Sequence, residues 1–447
     1  MPLVPKIRWT RGIVTSASLT LATRLVAFGF SAITNVILAR SLGPDGRGVY
    51  AVAVMVSAII ALLAQLGIGP SNVYHLSKNL IDLDELIGHS TSLALLLGTS
   101  CFVLVLGYVV VTGSDTILGV GSRFVVVACA AVPFTLVTAF MQSLLQGGQR
   151  FFHFNAVLLI QYAVPTFALV IALLVFRDKT LGAVTAWAAS AAITAGWAAY
   201  SVAPLSRISL RLHASTLRSL LRFGLISYLG NVTSFVNYRF DVLIVNLFAG
   251  ARQVGLYAVG TSMAEIVWFI TNAASVVLAP RVASASREEA DRLTEAVARV
   301  VAFVTFVSAI GLALLAPFIV VVFFGADFAD SSWAVRLLLP GIVTFSVSRI
   351  LSMYLLGRNM LRVDLMASVV GLVVTLALDF LLIPSYGFRG AAVASSIAYT
   401  SAMLVNLTWV VTHSSITPAR LLIVRPSDIR LLWERLRSSG TVLFAAR

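Results

Sequence analysis

Charge is scarce in this chain. Only 11% of its 447 residues are Asp, Glu, Lys or Arg, against about one quarter in an ordinary soluble domain, while 59% are hydrophobic and the mean hydropathy is +0.97. So few charges cannot coat a 47.7 kDa particle, which excludes a water-soluble globular fold. Cysteine is nearly absent: Cys101 and Cys129 lie inside apolar stretches and can build neither a disulfide framework nor a metal cluster. Lysine is confined to Lys6, Lys78 and Lys179, none of which follows glycine, so the Gly-Lys-Ser/Thr loop that holds nucleotide phosphates is missing. The five histidines, His75, His89, His153, His213 and His413, are scattered without a metalloprotease motif and read as interface or loop residues. No cofactor or metal is implied. The net charge of +14 is spread between apolar runs instead of gathered in a basic domain, which argues against nucleic acid as partner.

What the chain has in abundance is apolar runs long enough to cross about 30 Å of hydrocarbon at 1.5 Å per residue. Twelve spans are expected, near 13–38, 49–76, 88–112, 123–146, 152–176, 181–204, 222–248, 254–279, 300–324, 332–356, 364–384 and 390–412. Gly67-Ile68-Gly69-Pro70 marks a break in the second. The start resembles a signal peptide superficially, but Arg24 interrupts the run, so it reads as a retained first span. Lys and Arg favour alternate loops by about three to one, which puts both termini in the cytoplasm of a multi-pass cell (inner or plasma) membrane protein.

Sliding the chain against itself reveals a repeat at an offset of about 207 residues. LGPDGRGVYAV from Leu42 matches AGARQVGLYAV from Ala249, pairing Gly43 with Gly250, Gly48 with Gly255 and Tyr50 with Tyr257; Pro133 pairs with Pro340. Each half therefore holds six spans in the same orientation. The expected architecture is all-α: an N-terminal lobe (1–210) and a C-terminal lobe (211–412) of six helices each around a central cleft, then a basic cytoplasmic tail (413–447). Within the tail, Ile429, Leu432, Trp433 and Leu436 oppose Arg430, Glu434, Arg435 and Arg437, a pattern that suits either the anionic inner leaflet or solvent.

LARSLGPDGRGVYAV from Leu38, LLQGGQRF from Leu144 and DFLLIPSYGFRGAAVASSIAY from Asp379 resemble the polysaccharide transporters, the Wzx-type oligosaccharide flippases, of the superfamily that also contains peptidoglycan-precursor flippases and multidrug antiporters. The resemblance runs over nearly all twelve spans and implies alternating access, with a polyprenyl-pyrophosphate-linked oligosaccharide carried from the inner to the outer leaflet. Asp379 departs from the family pattern, where Asn is expected.

A charge at mid-bilayer costs roughly 2.5–3.5 kcal/mol on insertion scales, so each one in a span is a site candidate. Arg24 lies near mid-depth of the first span on a face shared with Thr20, Ser31 and Asn35; Ser227, Asn231, Ser234, Tyr238 and Asp241 form the corresponding face of the seventh. The repeat makes these faces symmetry mates, so both are expected to line the cleft. Arg24 suits a pyrophosphate because guanidinium keeps its charge and offers a forked pair of donors. Asn35, Asn231 and Tyr238 are candidate sugar partners and Arg349 a second cation, although interhelical bonding would explain each amide equally well. Arg239 and Glu265 lie thirteen residues either side of Arg252 and should pair at equal depth, either as a structural bridge or, with Asp241, as a site coupling H+ or Na+. Asp379, shortly before Pro384, reads as a helix-end cap.

Two other functions compete. A cation-coupled drug or metabolite antiporter would share the scaffold, and Asp241 and Glu265 suit it whereas Arg24 does not. A membrane glycan polymerase or ligase would need a sizeable outer loop with catalytic carboxylates, and every outer loop is short, so the chain is not expected to be an enzyme. Membrane lipids and the lipid-linked glycan are the expected partners, with polysaccharide assembly enzymes as possible company. The charge distribution makes a topological prediction: in a chain lacking Cys101 and Cys129, an impermeant thiol reagent on intact cells should label a cysteine at Ser114 and spare one at Ser209. The opposite pattern inverts the topology.

Overall fold

The computed structural model describes residues 11–204, 210 and 212–422, with side chains from Leu19 onward except at a few positions between 226 and 280; the tail stretch around Trp433 lies outside the described residues. In hydrocarbon a backbone N–H or C=O finds no water, so a spanning chain is forced into helices that close their own hydrogen bonds. The first half forms α1 (Arg11–Gln65), α2 (Ile68–Ser77), α3 (Leu83–Thr112), α4 (Ser122–Cys129), α5 (Val132–Gly147), α6 (Phe151–Val175) and α7 (Lys179–Val202). The second forms α8 (Ala214–Arg239), α9 (Asp241–Ala264), a 3-10 turn (Glu265–Val267), α10 (Trp268–Ser284), α11 (Arg287–Phe324), α12 (Ser331–Gly357), α13 (Leu361–Tyr386), α14 (Phe388–His413) and the short α15 (Pro418–Leu422). A tiny antiparallel hairpin, Thr116–Ile117 with Val120–Gly121, follows α3 and turns through Leu118 and Gly119, both at positive φ. Ser286 caps α11 by accepting from the Glu289 N–H, the spacing of a capping box.

Among the described residues, ten runs are long and apolar enough to cross a membrane. Two of them are hairpins. The Arg47 Nη2 donates to Asn35 Oδ1 at 2.7 Å across twelve residues of α1, which a straight helix would hold about 18 Å apart. The Tyr257 hydroxyl likewise donates to Asp241 across sixteen residues of α9, about 24 Å of straight helix. The turns are at Gly43 (φ 63°, ψ −179°) and Gly250 (φ 81°, ψ 171°), a backbone region essentially reserved for glycine. With both hairpins crossing twice, the protein is an all-α, twelve-span membrane protein; its helices cover the expected apolar runs, but α8 and α11 begin well before theirs, at Ala214 and Arg287, and the runs 222–248 and 254–279 are each divided between two helices. The break expected at Gly67 is present, with Leu66 and Gly67 both at positive φ between α1 and α2.

Chain contacts define two units: Met1–Val232 with Gly250–Gly255, and Thr233–Ala249 with Leu256–Arg447. The division runs through α8, whose opening turns pack in the first unit. There Phe223 stacks on Tyr74 at 4.0 Å, Ser219 shares a 3.0 Å hydrogen bond with His75 Nε2, and the Tyr228 hydroxyl donates to Leu63 O. The core of this unit joins α2, α3 and α5 through Ile68, Leu86, Ile87, Leu136 and Phe140, all fully buried. Asn72 ties the same helices together by donating to Ser90 and Ser143. In the second unit Leu278, Val282, Ile350, Leu351 and Tyr354 form a core, with Asp291 accepting from Tyr354 and Ser415 beside it. Outer faces carry bare aliphatics such as Val111 (86% exposed) and Leu174 (84%), a surface suited to lipid and not to water.

The repeat is visible in the backbone of the first unit. Its two elbow segments cross so closely that a Cβ on Gly48 would stand 1.7 Å from Ala251 O, and one on Gly255 2.0 Å from Pro44 O. Pro44 and Ala251 are themselves repeat mates, as are Asp45 and Arg252, which form an ion pair at 2.9 Å. Arg47 is buried beneath the elbow, where its guanidinium also lies 5.4 Å from the Tyr50 ring. Gly48→Ala and Gly255→Ala should each destabilise by at least about 1–3 kcal/mol through overpacking. Gly43→Ala should cost about as much through backbone strain alone. Thermal unfolding in detergent checks this against Gly29→Ala, where a Cβ meets nothing within 4 Å; equal stability of the Gly48 and Gly29 variants refutes the close crossing.

Candidate functional site

In the second unit the helices break where charge enters them. α8 ends at Arg239 and α9 starts at Asp241, with Phe240 between them; α9 gives way to the single 3-10 turn that Glu265 opens. Such interruptions within a bilayer persist only where protein or a cavity satisfies the freed backbone groups. Here the Asp241 carboxylate does part of this by accepting from its neighbour Val242 N–H at 2.7 Å.

Arg239 Nη2 donates to Glu265 Oε2 at 3.1 Å, so these two residues do meet, across a hairpin that turns at Gly250 and not at Arg252. Asp241 points elsewhere. It is buried, accepts from the Tyr257 hydroxyl and lies 3.4 Å from Ser395 Oγ of α14. Tyr238, grouped with it on the sequence, meets Tyr399 one turn further along α14, so both residues face the same helix. On the same stretch Asn237 Oδ1 accepts from Thr375 of α13 at 3.1 Å.

Asp379 corrects a second expectation. It does not cap a helix end but sits inside α13, completely buried, with neither carboxylate oxygen hydrogen-bonded among the described residues. Asp241 is close enough to act on it electrostatically. A buried carboxylate without a donor is costly, so this position calls for a proton or a metal cation as partner. The oxygens of Asp241, Asp379, Ser395 and Tyr257 are of the type a hard cation takes.

Beside these acids lies an aromatic cluster that sequence periodicity does not reveal. Tyr238 contacts Trp268, Phe345 and Tyr399 at ring separations of 5.6–5.9 Å, and Phe345 and Tyr399 lie 5.1 Å apart. Arg349 reaches to 5.9 Å from the Phe345 ring, and its buried Nε has no partner among the described residues. Phe345 and Tyr399 are buried, while the half-buried Tyr238 and Trp268 leave part of their apolar rings open beside the guanidinium, a combination suited to a sugar face and an anion.

In the first unit the polar face of α1 is partly consumed by packing. Thr20 accepts from Asn155 Nδ2 of α6 at 3.0 Å, and Asn35 bonds to Arg47 and to the Ser31 carbonyl, which makes Asn35 an elbow clamp. Arg24 is exposed and has no partner among the described residues. The side chain of Asn231, its counterpart in the repeat, lies outside the described residues, as do those of Ser227 and Ser234.

A family profile described as polysaccharide biosynthesis protein matches residues 37–333. The chain belongs to that family. A probable low-salt glycan biosynthesis flippase of Haloferax volcanii, Agl15, is 24% identical over 202 residues, 44% of this chain and 43% of that protein, so the match spans under half the length of this relative. Among solved structures, the lipid II flippase MurJ in an inward closed conformation aligns with a TM-score of 0.77 at 14% identity, over 91% of this chain and 89% of that one. An inward-facing MATE multidrug resistance transporter of the MOP superfamily aligns at 0.71 with 17% identity, over 86% and 94%. At such identities the likeness defines the fold, that of the twelve-helix MOP transporters, and the family membership ties it to polysaccharide biosynthesis.

The Arg239–Glu265 contact is testable apart from any transport assay. Each single neutral substitution should lower stability, and the charge swap should recover part of the loss, with a coupling of about 0.5–3 kcal/mol in a double-mutant cycle read by unfolding of the purified protein. A coupling of zero removes the pair from the site.

Proposed function

We propose that this protein is a flippase that carries a polyprenyl-pyrophosphate-linked oligosaccharide from the inner to the outer leaflet by alternating access, for cell-surface polysaccharide biosynthesis. It acts as a transporter and not as an enzyme, in the cell membrane with both termini cytoplasmic, and hands its cargo to polysaccharide assembly enzymes. The observation that carries this reading beyond family membership is Arg349 beside the ring cluster of Tyr238, Trp268, Phe345 and Tyr399. A lipid-linked glycan has two unlike parts, a pyrophosphate that needs fixed cations in a dry setting and sugars that need flat apolar faces with polar edges, and this cluster offers both. Arg24, exposed and without a partner among the described residues, supplies a second cation of the same kind. The unsatisfied Asp379 with Asp241 supports H+ or Na+ as the driving ion, because a site that must gain a cation to be buried can exchange it against a gradient.

The same acid pair favours the second reading, an antiporter of cationic drugs, and one assay separates the two. Proteoliposomes are loaded with labelled lipid-linked oligosaccharide, and exposure of the glycan to an added glycosidase is followed. Arg24→Ala and Arg349→Ala should each slow flipping about tenfold to a hundredfold, the worth of a charge-assisted hydrogen bond, with insertion unchanged. Arg24→Lys should recover only part, since ammonium loses the fork. Full-rate flipping in both alanine variants removes the headgroup role, and drug efflux without glycan flipping replaces the reading with the antiporter.

A further inference from the structure

A second cluster, far along the sequence from the residues above, has no part in that function. Glu85 and His89 sit one turn apart at the start of α3, and His213 stands just before α8; all three belong to the first unit. One ligand atom from each lies within 4.8 Å of the others: His89 Nε2 is 3.7 Å and His213 Nδ1 3.8 Å from Glu85 Oε1. We propose that Glu85, His89 and His213 form a binding site for a divalent transition-metal ion, with zinc as the best match.

The donor set decides the metal class. Two imidazole nitrogens and one carboxylate oxygen suit zinc, whereas calcium and magnesium take oxygen alone. Tetrahedral ligands about 2.0–2.2 Å from zinc lie about 3.3–3.6 Å from one another, so the observed separations need to contract by only a few tenths of an ångström at the two measured edges. His89 is fully buried and already oriented, which lowers the ordering cost of one ligand. Thr216 donates its hydroxyl to Glu85 and holds that carboxylate in place, the usual second layer of a metal site. The contact that binding must displace is a long one, the His213 N–H to His89 Nε2 at 3.3 Å.

The surroundings favour a cation as well. A cavity of about 650 Å³ opens on the cluster, lined by Asp82, Leu83, Asp84, Glu85, His213 and Ser215. In a chain of net charge +14 this acidic stretch is unusual, and its carboxylates or a water can fill the fourth ligand position. The bound ion would join the start of α3 to the segment entering α8, residues more than 120 positions apart in sequence, and so clamp the connection between the two repeats. The same three residues could instead answer protons alone, and the test separates these outcomes.

The full-length protein, purified without a histidine tag and stripped with chelator, is titrated with zinc chloride. One zinc per chain should bind at low micromolar concentration and raise the unfolding temperature. His213→Ala and Glu85→Gln, at largely and partly exposed side chains respectively, should weaken binding by about tenfold or more and abolish the thermal shift, while His153→Ala leaves both unchanged. X-ray absorption should report nitrogen and oxygen near 2.0–2.1 Å. The proposal is overturned by no zinc above background, by equal binding in the His213 and Glu85 variants, by sulfur scattering that puts the metal on a cysteine, or by stability that follows pH and ignores zinc.

Discussion

Every helix in this protein answers one constraint: within a bilayer the backbone must satisfy its own hydrogen bonds. A continuous helix does so at no further cost, so each interruption has to be held by something specific. Four of the interruptions fall into two kinds. At Gly43 and Gly250 the chain reverses, and bonds between the limbs, Arg47 to Asn35 and Tyr257 to Asp241, hold each reversal. At Phe240 and at Glu265–Val267 the chain breaks without reversing, and there the charged residues Arg239, Asp241 and Glu265 are concentrated. Breaks of the second kind are where a membrane helix exposes polar groups to something other than itself.

The repeat explains why the two reversals look alike and why their chemistry differs. Thr34 and Asp241 occupy the same register at the 207-residue offset, as do Tyr50 and Tyr257. In the first copy Thr34 bonds to Thr166 and Tyr50 lies beside the Arg47 cation; in the second, Tyr257 bonds to the Asp241 anion. The elbow glycines and the backbone crossing are common to both copies, while the buried charge has opposite sign. A duplicated scaffold has thus kept its steric solution and exchanged its electrostatic one, which leaves the buried acids Asp241 and Asp379 together in the second unit.

What the sequence made legible follows from the same physics. Apolar runs report spans directly, because lipid exposure demands them, and the repeat locates both elbows through glycines that no other residue can replace. The Arg239–Glu265 pair was accessible because residues on opposite limbs of a turn come to similar depth; the turn lies at Gly250, two residues before the expected Arg252, an offset that the long side chains span. Asp379 was misread as a cap because distance to Pro384 says nothing about burial: proline is tolerated inside α13, and the helix runs on to Tyr386. The convergence of Glu85 and His89 with His213 was missed for want of a long-range rule, although the spacing of Glu85 and His89 is itself a helical i, i+4 pair. Ring clusters such as Trp268, Phe345 and Tyr399 come from three separate helices and leave no trace in any one of them.

The arrangement in the second unit also bears on how an ion gradient could drive an anionic cargo. Arg239, Asp241 and Glu265 act on one another electrostatically, and Arg349 and Glu265 both act on Tyr238. Two unit charges about 10 Å apart in a medium of effective dielectric 20 interact by about 1–2 kcal/mol. Under the proposed function, a cation taken up at Asp379 would act directly on Asp241, and through Asp241 on the Arg239–Glu265 pair. By linkage, whatever effect this has on cargo binding would be felt equally at the cation site. Coupling of this sort needs no moving part between the two ligands. It needs only that both bind to one low-dielectric unit whose own charges are nearly balanced, and the pairing of Arg239 with Glu265 contributes to that balance without occupying Asp379 or Arg349.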